Sequence, residues 1–448
     1  MQRKVTKKFA QWAKGNRALL VTGARQVGKT YAIRGFLKDW CGDDYVELNL
    51  FENVVARQIL EESKNSAELL FRLSAVVDKP LKKGKTVIFL DEIQVCKNIL
   101  TIAKFLVEEG SFRYIFSGSL LGTELSGIES IPVGYMEVIE MYPMDFEEFL
   151  FANALSESVF EKVRECFDKK VPVDNIIHEK LVDMFHLYLV VGGMPAVVKK
   201  YIETNNLKDV VEEQNTINKL YKLDISRYDV DNKLYINEIF DLIPSELNNQ
   251  NKRFILKDLN ENLKFQKYEN SFLWLKNAGV ALPTYCADEP KVPLILSKSR
   301  NLFKLYHCDV GLLSAMYMDN NLQLKILKKE KDINFGAIYE NAAAEELASK
   351  GFDLYYYRNK SVGEIDFLIE NKGEIIPLEI KSGKDYKRHN ALSNLLAQHS
   401  EIKFAYIFSN NNVEISGREI YLPIYMISFL QKDEVRDMIY KVDLSNLN

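Results

Sequence analysis

Eight consecutive residues, Gly23-Ala24-Arg25-Gln26-Val27-Gly28-Lys29-Thr30, fit the phosphate-loop pattern G-x-x-x-x-G-K-[ST]. Its glycines let the backbone curl until successive N–H groups point inward at an anion. A helix leaving the loop offers its partly positive N-terminus to the same anion. Lys29 is placed to reach the β- and γ-phosphates, Thr30 to give its hydroxyl to Mg²⁺, and Tyr31 to stand with the loop at the nucleotide. Farther on, Val87-Ile88-Phe89-Leu90 runs into Asp91-Glu92. Four apolar residues read as a central strand buried on both faces, which puts Asp91 at its carboxyl end, where open α/β sheets place ligands. Asp91 is expected to hold Mg²⁺ through water, and Glu92 to polarise an attacking water. Ser117, ending a neighbouring strand, is the first choice for a residue that feels the γ-phosphate. Ser119 is the second, and a plain serine-rich turn fits equally well. The expected ligands are ATP and Mg²⁺.

A second group lies near the C-terminus. Glu364-Ile365-Asp366-Phe367-Leu368-Ile369-Glu370 and Glu374-Ile375-Ile376-Pro377-Leu378-Glu379-Ile380-Lys381 flank a tight turn at Lys372-Gly373. Counting back from that turn sets Asp366 opposite Glu379 and Glu364 opposite Lys381. Strand alternation then puts these four on one face, and Ile365, Phe367, Ile369, Ile376, Leu378 and Ile380 on a core face. Two facing acids repel. A divalent cation, Mg²⁺ or Mn²⁺, held by Asp366 and Glu379 would offset this, with Lys381 orienting water or stabilising phosphate charge. Glu340, in the preceding helix, would complete a metal-dependent phosphodiesterase site. A charged sheet face, with Lys381 paired to Glu364 and the acids solvated, fits the spacing as well.

These residues need elements to position them. Strands are expected over residues 18–22, 45–50, 86–90, 113–117 and 136–141, with helices over 29–40 and 66–77 between them. Alternating strands and helices imply a parallel sheet covered on both faces. Residues 145–227 read as helical, broken at Gly192-Gly193-Met194-Pro195. Two short helices (255–263, 268–278) and two extended pieces (280–285, 292–296) make a winged-helix pattern. A helix at 338–349 opens the last part, with strands at 354–357, 364–370, 374–381 and 403–408.

The net charge is −4, so nucleic-acid contact would need a local patch. Lys252, Arg253, Lys257, Lys264 and Lys267 offer one, weakened by Glu261 and Glu269. Tyr355-Tyr356-Tyr357 reads as sheet core rather than a base-stacking platform. Five scattered cysteines and five histidines show no ligand or disulfide spacing. Neither a signal peptide nor a membrane span is legible, so a cytoplasmic protein is expected, with no membrane partner.

The chain resembles the bacterial and archaeal ATPases of the AAA superfamily that carry a C-terminal DUF4143 domain. The phosphate loop, Leu90-Asp91-Glu92-Ile93-Gln94 and Tyr188-Leu189-Val190-Val191-Gly192-Gly193-Met194-Pro195 carry the match. So do Phe303-Lys304-Leu305-Tyr306, Asp309-Val310-Gly311-Leu312, Tyr339-Glu340-Asn341, Gly363-Glu364-Ile365-Asp366-Phe367 and Leu378-Glu379-Ile380-Lys381-Ser382-Gly383. The resemblance implies an α/β protein: a parallel-sheet P-loop NTPase domain (1–150), a helical lid (151–230), a winged-helix-like module (231–325) and a restriction-endonuclease-like domain (326–448). In the PD-(D/E)xK nuclease pattern, Glu340, Asp366, Glu379 and Lys381 fall on the active-site positions. ATP-dependent action on DNA is then the first expectation, and a nucleotide switch that binds DNA or protein without cutting is the alternative. Relatives often read Gly-Arg where this chain has Gly134-Tyr135, so no arginine finger is assigned. A homo-oligomer is compatible with the family.

Overall fold

The computed structural model describes residues 3–96, 99–119, 134–228, 233–249, 254, 265–317, 320–330, 335–383, 385–433 and 440. Two sheets organise it. The first holds β1 (Ala18–Thr22), β2 (Tyr45–Asn49), β3 (Val87–Asp91), β4 (Arg113–Ser117) and β5 (Met136–Glu140), ordered β2-β3-β4-β1-β5. All four pairings are parallel. Every residue of β3 is buried, as expected of a central strand covered on both faces. The carboxyl ends of β1, β3 and β4 therefore meet on one edge, which carries the phosphate loop, Asp91 and Ser117.

Helices Phe146–Ala152, Glu157–Lys169, Asn175–Val191, Pro195–Thr204 and Leu207–Tyr228 form the helical part. The expected break is present: Asn175–Val191 and Pro195–Thr204 meet at 118°. Both glycines in the turn are forced by close backbone approach. A Cβ on Gly193 would stand 1.9 Å from the Met144 carbonyl oxygen, and one on Gly192 would stand 2.3 Å from Asp309 Oδ1. No single described helix is long and apolar enough to cross a membrane.

The second sheet adds β6 (Ala281–Ala287), β7 (Lys298–His307), β8 (Tyr355–Asn359), β9 (Gly363–Asn371), β10 (Glu374–Ile380), β11 (Ala405–Ser409), β12 (Glu414–Ser416) and β13 (Glu419–Pro423). Their order is β12-β13-β11-β10-β9-β8-β6-β7. The extended piece expected at residues 292–296 is instead a 3-10 turn, Leu294–Ser297, and the partner of β6 is β7. Pro290 and Pro293 remove ladder donors there, and the Leu294 N–H goes to Glu370 Oε2 at 3.0 Å. Moreover, β6 pairs with β8, so the hairpin read as a wing continues the C-terminal sheet. Of the two helices expected before it, the second is present as Phe265–Asn277 and the first lies outside the described residues.

The β9–β10 register is the expected one: Asn371 faces Glu374 and Phe367 faces Leu378. Lys372 and Gly373 both have positive φ, the turn conformation that suits a right-twisted hairpin. One expectation fails. Tyr357 stands opposite Ile365 but Tyr355 opposite Leu368, so β9 carries an extra residue there. Ile365 consequently packs with Leu368 and helix Asn390–Gln398, while Phe367 and Ile369 pack with helix Gly336–Ser349. The sheet is buried on both faces.

Candidate functional site

Gly23 and Gly28 have φ of 133° and 88°. A Cβ on Gly23 would meet the Met141 carbonyl oxygen at 2.1 Å, so the loop's first glycine is required by contact as well as conformation. Helix Lys29–Cys41 starts directly after Gly28. Lys29 is buried, and its ammonium donates to the carbonyls of Gly23 and Ala24 at 2.9 and 2.8 Å. Burial pulls it down to about 8, against the attraction of Glu92 and Asp91. Thr30 donates its hydroxyl to Asp91 Oδ2 at 2.9 Å, Ser117 donates to Asp91 Oδ1, and the Glu92 N–H reaches the same Oδ1 at 3.1 Å. A hydroxyl and a carboxylate side by side are hard oxygen donors that fit Mg²⁺. Glu92 sits in left-handed backbone, φ 56°, and accepts from Gln94.

A cleft of about 720 Å³ opens over this edge, lined by Gln26, Gly28, Lys29, Thr30, Tyr31 and Glu92 among others. That volume suits a nucleotide-sized ligand. Ser119 lines it, whereas Ser117 is wholly buried behind Asp91. Pro195, Ala196 and Lys199 of the broken helix pair line it too, Pro195 close beside Gly28 of the loop. The turn read mainly as a helix breaker thus faces the nucleotide cleft.

Three contacts invisible in local sequence hold the loop. Arg3 donates to the Val27 and Tyr142 carbonyls at 2.7 Å each and pairs with Glu148 at 3.1 Å. Arg25 pairs with Asp224 at 2.6 Å, and Tyr221 donates to the Arg25 carbonyl at 2.9 Å, both from helix Leu207–Tyr228. Tyr135 lies elsewhere. Its carbonyl accepts from Ala18 at the amino end of β1, a full strand from the loop, and its hydroxyl donates to Glu108 at 2.7 Å.

The Gly192-Gly193 turn is fastened to the C-terminal sheet. Asp309, just beyond β7, accepts from the Gly193 N–H at 2.6 Å and the Leu312 N–H at 2.8 Å. Burial pushes its carboxyl up to about 6, although these backbone donors pull it down. The preceding residue but one, His307, receives its backbone bond from the other side: its N–H donates to Asn341 Oδ1 at 2.7 Å.

In the C-terminal sheet, Asp366 Oδ2 accepts from the Ile380 N–H at 2.9 Å, beside Glu379. Lys381 pairs with Glu379 at 2.7 Å. Burial and the Asp366 charge raise Glu379 to about 8. Glu340 is held from β7: the Tyr306 hydroxyl donates to it at 3.0 Å and Lys304 Nζ lies 3.7 Å away. Lys304 also pairs with Glu364 at 2.9 Å. Among the described residues no group of three His, Cys, Asp or Glu is arranged to hold a metal ion. The expected metal pair, Asp366 and Glu379, is thus engaged by the Ile380 N–H and by Lys381. Lys304 was legible only as part of a motif, because β7 joins the cluster through long-range strand pairing. The basic stretch at residues 252–267 lies outside the described side chains.

Residues 15–150 match a family described as an AAA domain, and residues 335–427 match the domain of unknown function DUF4143. Between them, residues 182–325 match a further domain of unknown function, DUF8612. The chain is 23% identical over 368 residues to an uncharacterized protein of Methanocaldococcus jannaschii, covering 80% of this chain and 73% of that one. Among solved structures, the Walker-type ATPase of Pyrococcus abyssi aligns over 71% of this chain and 96% of its own, at 14% identity and a TM-score of 0.43. C. elegans PCH-2 aligns over 47% and 65%, at 14% identity and a TM-score of 0.27.

Proposed function

We propose that this chain, an AAA-type P-loop ATPase domain joined to a C-terminal DUF4143 domain, is an ATP-hydrolysing switch that acts on the state of its own C-terminal sheet. The supporting observation is the composition of one cleft: Lys29, Thr30 and Glu92 line it together with Pro195 and Ala196. Lys29 leaves the loop carbonyls for the β- and γ-phosphates. Thr30 and Asp91 would hold Mg²⁺, which would neutralise phosphate charge there. Glu92 accepts a proton from the attacking water. Loss of the γ-phosphate changes what Pro195 and Ala196 face, and the Gly192-Gly193 turn carries that change to Asp309 and β7. Steady-state ATPase turnover tests this. Lys29→Ala loses both binding and turnover. Glu92→Gln keeps ATP binding and loses turnover by about 10²-fold or more. Turnover retained in either variant contradicts the proposal.

A second reading is favoured by the placement of two acids together, Asp366 accepting from the Ile380 N–H beside the buried Glu379. A divalent cation bound by that pair would activate water for attack on a phosphodiester, with Lys381 stabilising the charge that develops. DNA is then the substrate class, and the switch would gate its cleavage. Plasmid and single-stranded DNA with Mg²⁺ or Mn²⁺ test it: cutting that Asp366→Ala abolishes supports it, and equal cutting by both proteins, or none with any nucleotide, removes it.

A further inference from the structure

Glu364, Asp366 and Glu379 of the C-terminal sheet lie near Glu340 of helix Gly336–Ser349, and Lys304 and Lys381 pair with this group. Lys381 is partly exposed and belongs to the hairpin itself. Lys304 comes from the edge strand β7, three strands away from β9 in the sheet order, and is 0% exposed. Its Nζ lies 5.1 Å from the centre of the Tyr356 ring of β8, 2.9 Å from Glu364 and 3.7 Å from Glu340. An ammonium with no access to water persists only where fixed negative charge surrounds it. Such a group stands where a cation is needed and is tethered, so it does not dissociate.

We infer that Lys304 is the built-in cation of this cluster, which holds Glu340 and Glu364 in ion pairs and keeps a divalent cation out. Metal entry requires β7 to withdraw. The inference rests on the cluster alone and holds whether or not the domain cuts DNA. It adds a regulatory role to β7, because the same strand ends two residues before Asp309, which holds the Gly192-Gly193 turn. In this form Tyr306 and Lys304 both contact Oε2 of Glu340.

The test is Mn²⁺ binding by the full-length, nucleotide-free protein, read from the loss of the free-ion signal in electron paramagnetic resonance. Wild type and Asp366→Ala bind Mn²⁺ alike, since any ion at the nucleotide cleft is common to both. Lys304→Met gains one further site, at least about tenfold tighter than any shared site, and Lys304→Met with Asp366→Ala loses it. Lys304→Arg, which keeps the charge, gains none. Wild type binding one more ion than Asp366→Ala overturns the inference, and that comparison needs no variant at position 304. A folded Lys304→Met that gains no site overturns it too.

Discussion

Lys29 illustrates how one side chain ties acid–base chemistry to ligand binding. Burial holds the free protein's ammonium down to about 8. A triphosphate binds the ammonium form, so its arrival raises that value. Below about pH 8 the proton is already in place and ATP affinity is flat. Above it a proton must be taken up on binding, and affinity falls by up to about tenfold per pH unit. Titrating ATP into the protein across that range checks the sign; affinity that stays level or rises above pH 8 counts against it. Lys29 was legible because all its partners come from one contiguous loop whose spacing is the motif. Arg3 was not, and Lys304 was legible only within a motif, since their partners, Glu148 and Glu364, lie far along the chain. Ser117 was read one step too near the ligand: it supports Asp91, and Ser119 lines the cleft.

At the scale of elements, the Gly192-Gly193 turn is the narrowest joint in the molecule. Gly193→Ala forces a Cβ against the Met144 carbonyl. That overpacking costs about 1–3 kcal/mol or more. Asp309→Ala leaves the buried N–H groups of Gly193 and Leu312 without their acceptor, at about 1–3 kcal/mol. Urea denaturation measures both; unchanged midpoints would show that the turn tolerates loosening. The elements themselves were legible where the signal is local. The five strands of the first sheet are short apolar runs set between helical patterns, and each was found within a residue or so. The hairpin register followed from its turn. What failed was non-local. The extra residue in β9 depends on pairing with β8, which reassigns Ile365 to the opposite core. The wing became part of a larger sheet because β6 pairs with β8 across an intervening segment of chain.

The whole molecule is then a nucleotide cleft and an acid cluster joined through one turn and one strand. Pro195 borders the cleft, Gly193 is bonded to Asp309, and Lys304 on the strand before it reaches the cluster. Tyr135 stands at the opposite end of β1 from the phosphate loop and off this internal route. The central claim is that the nucleotide state travels this route. Hydrogen–deuterium exchange of Glu92→Gln with ATP, against the same protein with ADP, tests it most directly. Protection is expected to change in residues 192–198 and in residues 304–312 together, with the second change lost in Asp309→Ala. Changes confined to residues 23–30, with the second segment identical in both states, would contradict it.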